Sequence, residues 1–289
     1  MSDVFEPVGG AVPGEVTIID GGAVPWVSGR EVYDSMEPAF RENLGDPERV
    51  GDLLSRYWMR SLWHDPATSR RIDHVRTDPG YRDLCEAYHD SVEEALFLGG
   101  RVTLTAEGDF EAGDYFWRPP GWVHSAATDE GFECVLMMEG ESASDASGRV
   151  SRVVRPDEDA GRHARPGGGD PIGPRGYVRR KEARFMVWHE HDDTVTQLAG
   201  PGVPGLRSKT LSRNASAVGL SVLVDMPPGW SQPVPATGRE RFLVLTEGAL
   251  TAGGVDLEPC SLIEIPAGVD GPPLATAAGA RLLVKVAER

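Results

Sequence analysis

The side chains able to do chemistry are few. The chain of 289 residues has seven histidines and three cysteines. His124 closes the run Gly113-x5-Pro119-x-Gly121-x2-His124, a histidine set just past a Pro/Gly turn. Upstream, His89 is followed by Glu94, with Glu93 beside it. A third group is Trp188-His-Glu-His191, in which His189 and His191 would share a strand face. Isolated histidine pairs so close in sequence read as surface residues. Imidazole nitrogens and carboxylate oxygens together suit Fe(II), Mn(II), Zn(II) or Ni(II). Other chemistries find no support. There is no Gly-x-Ser-x-Gly elbow, no Rossmann glycine turn and no His-Glu-x-x-His pair. Gly167-Gly-Gly is followed by no Lys-Ser/Thr and reads as linker rather than phosphate loop. Cys85, Cys134 and Cys260 are odd in number and match no zinc or Cys-x-x-Cys spacing, so no disulfide framework is expected.

The elements that must position these groups are short strands. The 35 glycines and 23 prolines make up about a fifth of the chain, a density of turn formers that favours many strands over a helical bundle. Apolar runs at Ile72–Thr77, Glu94–Leu98, Arg101–Thr105, Tyr115–Trp117, Val123–Ala127 and Glu133–Met138 are separated by Gly/Pro turns. A second series follows at Phe185–His189, Gly219–Val224, Arg241–Leu245, Ala249–Thr251, Ser261–Ile265 and Arg281–Val286. Such spacing predicts an all-β protein with a few helices. One amphipathic helix is expected where Asp46 caps, Pro47 opens and Val50, Leu53, Leu54, Tyr57 and Trp58 form an apolar face. A shorter helix is expected near 37–43. The segment 30–60 would cover either the outer wall of the first β domain or its mouth.

The domain division reads as a tail at 1–15, an N-terminal domain at 16–140 with a helical insertion near 37–58, a Ser/Gly/Pro-rich linker at 141–176, and a C-terminal domain at 177–289. Lys and Arg number 29 against 45 Asp and Glu, a net charge of −16. That charge disfavours nucleic acid and anionic membrane surfaces as partners. The N-terminus lacks a basic, then apolar, leader, and no run is long enough to span a membrane, which predicts a cytoplasmic protein.

The two strand series are copies of one another. Glu94-Ala-Leu-Phe-Leu-Gly-Gly100 parallels Arg241-Phe-Leu-Val-Leu-Thr-Glu-Gly248, and Gly113-x5-Pro119-x-Gly121 parallels Cys260-x5-Pro266-x-Gly268. The first copy resembles the cupin superfamily. Its Gly113-to-His124 run matches the second cupin motif except at its last position, where Thr128 replaces asparagine. Ala87-Tyr-His89-x4-Glu94-x5-Gly100 resembles the first motif, with Ala87 in place of its first histidine. The resemblance implies a bicupin, two small jelly-roll barrels in tandem. It implies that His89, Glu94 and His124 converge inside the first barrel as ligands of one divalent transition metal, Fe first among Fe, Zn, Mn and Ni. Cys85 or His74 would stand in for the missing histidine. Glu93 is the alternative to Glu94, because a one-residue shift of register turns a strand residue to the other face. Glu94, Tyr115 and Trp117 are the candidate catalytic residues, with aromatics around His124 walling an organic substrate. In the second copy Gly271 matches His124, Thr237 lies near His89 and Phe242 near Glu94, with Glu240 the nearby carboxylate. The second barrel is therefore expected to be structural and metal-free.

The resemblance implies a metal-dependent enzyme acting on a small organic molecule, foremost a non-haem Fe(II) oxygenase. The alternatives are a Zn- or Mn-dependent isomerase, lyase or cyclase, and a non-enzymatic small-molecule-binding or sensor cupin. The expected partners are a small-molecule substrate and a second copy in a homodimer.

Overall fold

The computed structural model describes residues 14–35, 41, 46–65, 68, 70–89, 91–105, 107–139, 151–154, 177–190, 192, 195–196, 198, 205–213 and 219–287. The helix expected near 37–43, His191 and most of the 141–176 linker lie outside this set. Among the described residues, no helix is long and apolar enough to cross a membrane.

The chain folds as two β units, the first spanning Pro25–Glu182 and the second Ala183–Arg289 together with the arm that carries Thr17–Ile19. In the first, the 13-residue strand Val92–Leu104 is central. It lies between Asp114–Arg118 and Phe132–Glu139, and the sheet continues through Arg70–Thr77 to Tyr57–Asp65. In the second, Arg241–Gly248 is central between Leu262–Ile265 and Ala280–Val286, continuing through Leu220–Met226 to Arg207–Arg213. The two strand orders are the same, and every pairing is antiparallel. Each inner face is apolar. Phe97, Phe110, Phe116 and Phe132 pack together in the first unit, and Val222, Val224, Leu243, Leu245, Ile263 and Leu282 in the second.

The same glycine anchors both central strands. Gly100 pairs with Phe132 and Gly248 with Ala280, and both adopt positive φ, 68° and 83°. A Cβ at Gly100 would sit 2.1 Å from the Gly131 carbonyl oxygen, and one at Gly248 2.3 Å from that of Gly279. Backbone cannot yield as a flexible side chain can. Gly100→Ala and Gly248→Ala should each lower the stability of the affected unit by about 2–5 kcal/mol, combining a strained φ with overpacking. Urea unfolding of each variant measures this; a loss under about 1 kcal/mol would show that the strand crossing tolerates a side chain there. Where the first unit has Gly113 at φ 85°, the second has Cys260 at φ 68°. Both make the same backbone bond, to Phe97 O at 2.8 Å and to Leu245 O at 2.7 Å.

The structure departs from the sequence reading in three places. The helix expected to run through Trp58 spans Pro47–Leu54, with Asp46 accepting from the Glu48 and Arg49 backbone. Tyr57 and Trp58 begin a strand instead, because the run Tyr-Trp-Met-Arg-Ser-Leu-Trp suits a half-buried sheet better than a helix. Trp58 lies on the face opposite the core residue Met59 and donates its indole N–H to Asp78 at 3.0 Å. It therefore takes no part in covering the interior. Phe185–His189 is likewise no strand: Ala183–Phe185 is a turn of 3-10 helix and His189–Glu190 a short exposed edge strand. Finally, each unit gains an edge strand outside the two predicted series. Thr17–Ile19 pairs with Leu262–Ile265 of the second unit, and Val178–Glu182 pairs with Asp114–Arg118 of the first. These two paired strands occupy equivalent places, and each receives a cover over an otherwise open row of N–H and C=O groups.

Candidate metal centre

Three elements of the first unit bring three donors together. His89 ends the short strand Ala87–His89, Glu93 lies near the start of Val92–Leu104, and His124 follows the Pro119-Pro-Gly121 turn. Glu93 Oε1 lies 3.7 Å from His89 Nε2 and Glu93 Oε2 lies 3.6 Å from His124 Nε2. One ligand atom from each residue falls within 4.8 Å of the others. Bond lengths of about 2.0–2.2 Å to a divalent metal require donors about 3 Å apart, so a small inward adjustment would close the set.

The protonation states suit a ligand set. Burial, reinforced by the Arg118 guanidinium, pushes His124 down to about 3 and keeps it neutral. Its Nδ1 lies 3.1 Å from the Trp122 carbonyl oxygen. Donating there fixes the tautomer and leaves the Nε2 lone pair facing Glu93. Burial alone would raise Glu93, but the imidazoles of His124 and His89 and the guanidinium of Arg118 outweigh it and hold the carboxyl at about 2. A neutral imidazole, a second imidazole 5.1 Å away between ring centroids and one carboxylate fit a divalent transition metal.

Glu94, expected as both ligand and catalytic carboxylate, does not join them. In the antiparallel register Glu93 is opposite Arg118, and Glu94 is opposite Trp117. Neighbouring residues of a strand point to opposite faces. Glu93 shares its face with the core residues Ala95, Phe97 and Phe116, whereas Glu94 accepts a hydrogen bond from the Tyr115 hydroxyl at 2.6 Å. Tyr115 and Trp117 are thus buried on the face away from His89 and His124. The aromatic of this strand that turns inward is Phe116, with the Arg118 guanidinium 4.0 Å from its ring centroid.

Neither proposed stand-in for the missing histidine reaches the group. His74 lies on the face opposite the core residue Val75, bonded to Glu133 at 2.5 Å and packed on Trp26. Cys85 is half-buried and outside the group. Ala87 and His124 exchange both backbone bonds, at 2.9 and 2.8 Å. Directly paired residues present their side chains to one face, so the Ala87 methyl borders the donors and leaves a side open. Ala87→His should add a fourth imidazole and tighten Zn(II) binding at least tenfold in a chelator competition. Unchanged affinity would show that position 87 points elsewhere.

Sequence reasoning missed the groups behind the donors. Arg118 is buried between two carboxylates: Nη1 donates to Glu93 Oε2 at 2.8 Å, Nε donates to Glu107 Oε1 at 3.0 Å, and Nη2 donates to Glu107 Oε2. Tyr177 donates its hydroxyl to Glu107 at 3.0 Å and stacks its ring on Trp122, 4.0 Å between centroids. Arg118 sits inside the Gly113–Pro119 run and could have been noticed there. Glu107 and Tyr177 carry no local signal.

The second unit has no equivalent centre among its described residues. By strand register the counterpart of Glu93 is Arg241, which is opposite Ile265 just as Glu93 is opposite Arg118. Arg241 is fully buried and donates to the carbonyls of Leu198 and Pro235. A cation thus stands where the first unit has its anionic donor. Gly271, opposite Val234, takes the place of His124.

No protein-family model and no curated protein matches the chain. Solved structures do. A crystal structure from Nostoc punctiforme PCC 73102, provisionally assigned as a dioxygenase, superposes with a TM-score of 0.68 at 15% identity over 96% of this chain and 84% of its own. Salicylate 1,2-dioxygenase from Pseudaminobacter salicylatoxidans superposes with a TM-score of 0.52 at 14% identity, over 75% of this chain and 70% of its own. Protein Ylba from E. coli superposes with a TM-score of 0.56 at 11% identity, over 98% and 96%. The fold is a cupin fold. In that setting the His89, Glu93 and His124 group lies in the first unit, and the Glu93-to-Arg241 exchange separates the two β units chemically.

Proposed function

We propose that the chain is a bicupin whose N-terminal unit is a metal-dependent oxygenase acting on a small organic molecule, and whose C-terminal unit carries no metal. His89, Glu93 and His124 would hold one divalent ion, Fe(II) foremost. The observation that carries this reading is the meeting of two imidazoles and a carboxylate, with Glu93 and His124 buried and His89 partly so. Bound there, Fe(II) would supply coordination positions for substrate and O₂. The chain's own residues do the rest. The Trp122 carbonyl and Arg118 orient two of the donors, Ala87 leaves one side of the group uncrowded, and Phe116 packs its ring against the Arg118 guanidinium and joins the site to the apolar core. Among the neighbours in fold, salicylate 1,2-dioxygenase is an oxygenase by name, which supports the class of reaction and not the substrate. The net charge of −16 favours a small substrate over nucleic acid or an anionic membrane, and a cytoplasmic homodimer completes the reading.

Metal analysis of protein purified without added metal tests it. Close to one iron per chain, with substrate-dependent O₂ uptake from a panel of hydroxylated aromatic acids, is the expected result. One zinc or manganese and no O₂ uptake would replace the oxygenase with Lewis-acid chemistry on the same residues. No metal, even after reconstitution with Fe(II), would overturn the site.

A further inference from the structure

Around the three donors the charges are arranged in a chain. Glu93 is anionic, but its Oε2 is bonded to the Arg118 guanidinium at 2.8 Å. Ligation requires both imidazoles neutral, so Glu93 and Arg118 alone would present a divalent cation with no net charge, a poor electrostatic basis for binding. Glu107 alters that. Its side chain is completely buried, and both of its oxygens accept from the same guanidinium. The trio Glu93, Arg118 and Glu107 carries one net negative charge in a region from which water is excluded, where such a charge is weakly screened. The bidentate grip also aims the remaining Nη1 at Glu93, leaving Oε1 on the His89 side available to an ion.

Tyr177 braces this arrangement from two directions. Its hydroxyl donates to Glu107 Oε1 at 3.0 Å. Its ring stacks on Trp122 at an interplanar angle of 25°, and the Trp122 carbonyl is the partner of His124 Nδ1. A single residue, just ahead of the Val178–Glu182 strand that closes the sheet edge, therefore supports both the carboxylate arm and one imidazole arm of the centre.

We propose that Glu107 sets the metal affinity of the His89, Glu93 and His124 centre through Arg118, and that Tyr177 holds Glu107 in place. Neither residue touches a donor, so both are positioning residues. This rests on the metal reading given above, and the two fail differently: a parent protein that binds neither Zn(II) nor Co(II) removes the metal reading, whereas the present inference fails in the variants alone.

The test is Zn(II) affinity by competition with a chromophoric chelator, alongside the visible absorption of the Co(II)-loaded protein. Glu107→Gln keeps the shape and removes the compensating charge. It should weaken Zn(II) binding about 10–100-fold, the range typical of groups behind metal ligands, and should shift the Co(II) bands. The double variant Glu107→Gln/Arg118→Gln removes both charges and restores an uncompensated Glu93, so its affinity should return to within a few-fold of the parent. A merely structural role for Glu107 predicts the opposite order, with the double variant weaker than the single one. Parent-like affinity in Glu107→Gln, or a double variant no better than it, overturns the inference. Tyr177→Phe keeps the ring on Trp122 and loses only the hydroxyl, so it buries no unpaired charge and guards against a misfolded Glu107 variant. A few-fold weaker Zn(II) binding with altered Co(II) bands is expected from it; an unchanged spectrum and affinity would count against the brace.

Discussion

Glu93→Ala should abolish metal binding, and the same change one residue later, at Glu94, should leave it intact. The two carboxylates are adjacent in sequence and both are buried, so composition and exposure do not separate them. Register does. Glu93 stands opposite Arg118 and within 3.7 Å of both imidazoles, while Glu94 stands opposite Trp117 and accepts the Tyr115 hydroxyl. With three protein donors, loss of one leaves either two imidazoles without anionic help or one imidazole beside the carboxylate. Glu93→Ala, His89→Ala and His124→Ala should each lower Zn(II) affinity by at least a hundredfold. Glu94→Gln should instead cost stability, about 1–3 kcal/mol, because the buried Tyr115 hydroxyl loses a charged acceptor. Titration of each purified variant with Zn(II), paired with urea unfolding, separates the two effects. A Glu94 variant that loses its metal while Glu93→Ala keeps it would place the carboxylates on the wrong faces.

Arg118→Met should be the most destabilising single change at the centre, by about 3–5 kcal/mol, because it leaves Glu93 and Glu107 buried without their shared cation. Its pH dependence should also reverse. In the metal-free parent, Glu93 lies near 2 against an ordinary value of 4.5. The unfolded chain then binds the proton first, so this group's stabilisation is complete above 4.5 and is lost as pH falls toward 2. Without Arg118, the two imidazoles alone oppose burial, and Glu93 rises. The folded state then binds protons more readily, and the variant should regain stability as pH drops from 7 toward 5. Urea midpoints of both metal-free proteins across that range check the sign; parallel profiles would mean that Arg118 is not the counter-charge of this site.

Much of this molecule follows from local pattern. The Gly113-to-His124 run placed His124, because a tight Pro/Gly turn followed at fixed distance by histidine is a short-range feature. The duplicated glycines at 100 and 248 were visible for the same reason, and the packing explains them: each must cross a neighbouring backbone where no Cβ fits. Alternating apolar runs and frequent turns determined an all-β chain with a repeated pattern, and the loss of both histidines, at Thr237 and Gly271, marked the second copy as different. Other features were beyond local reading. Glu93 and Glu94 begin a mostly apolar run buried on both faces, so no alternation in the sequence fixes its phase; the hydrogen-bonded neighbours at Arg118 and Trp117 do. Tyr57 and Trp58 fit a helix face by spacing, yet pairing with Thr77 and Arg76 claims them for a sheet. The added edge strands join segments far apart in the chain. The brace from Tyr177 to Glu107 spans 70 residues, and the replacement of an anionic donor by Arg241 appears once strands are aligned by their bonds rather than by residue count. Sequence alone determined which residue types could bind a metal and the turns that present one of them. Tertiary structure decided which carboxylate faces inward and what stands behind it, because both depend on register and on contacts between strands that the chain brings together only on folding.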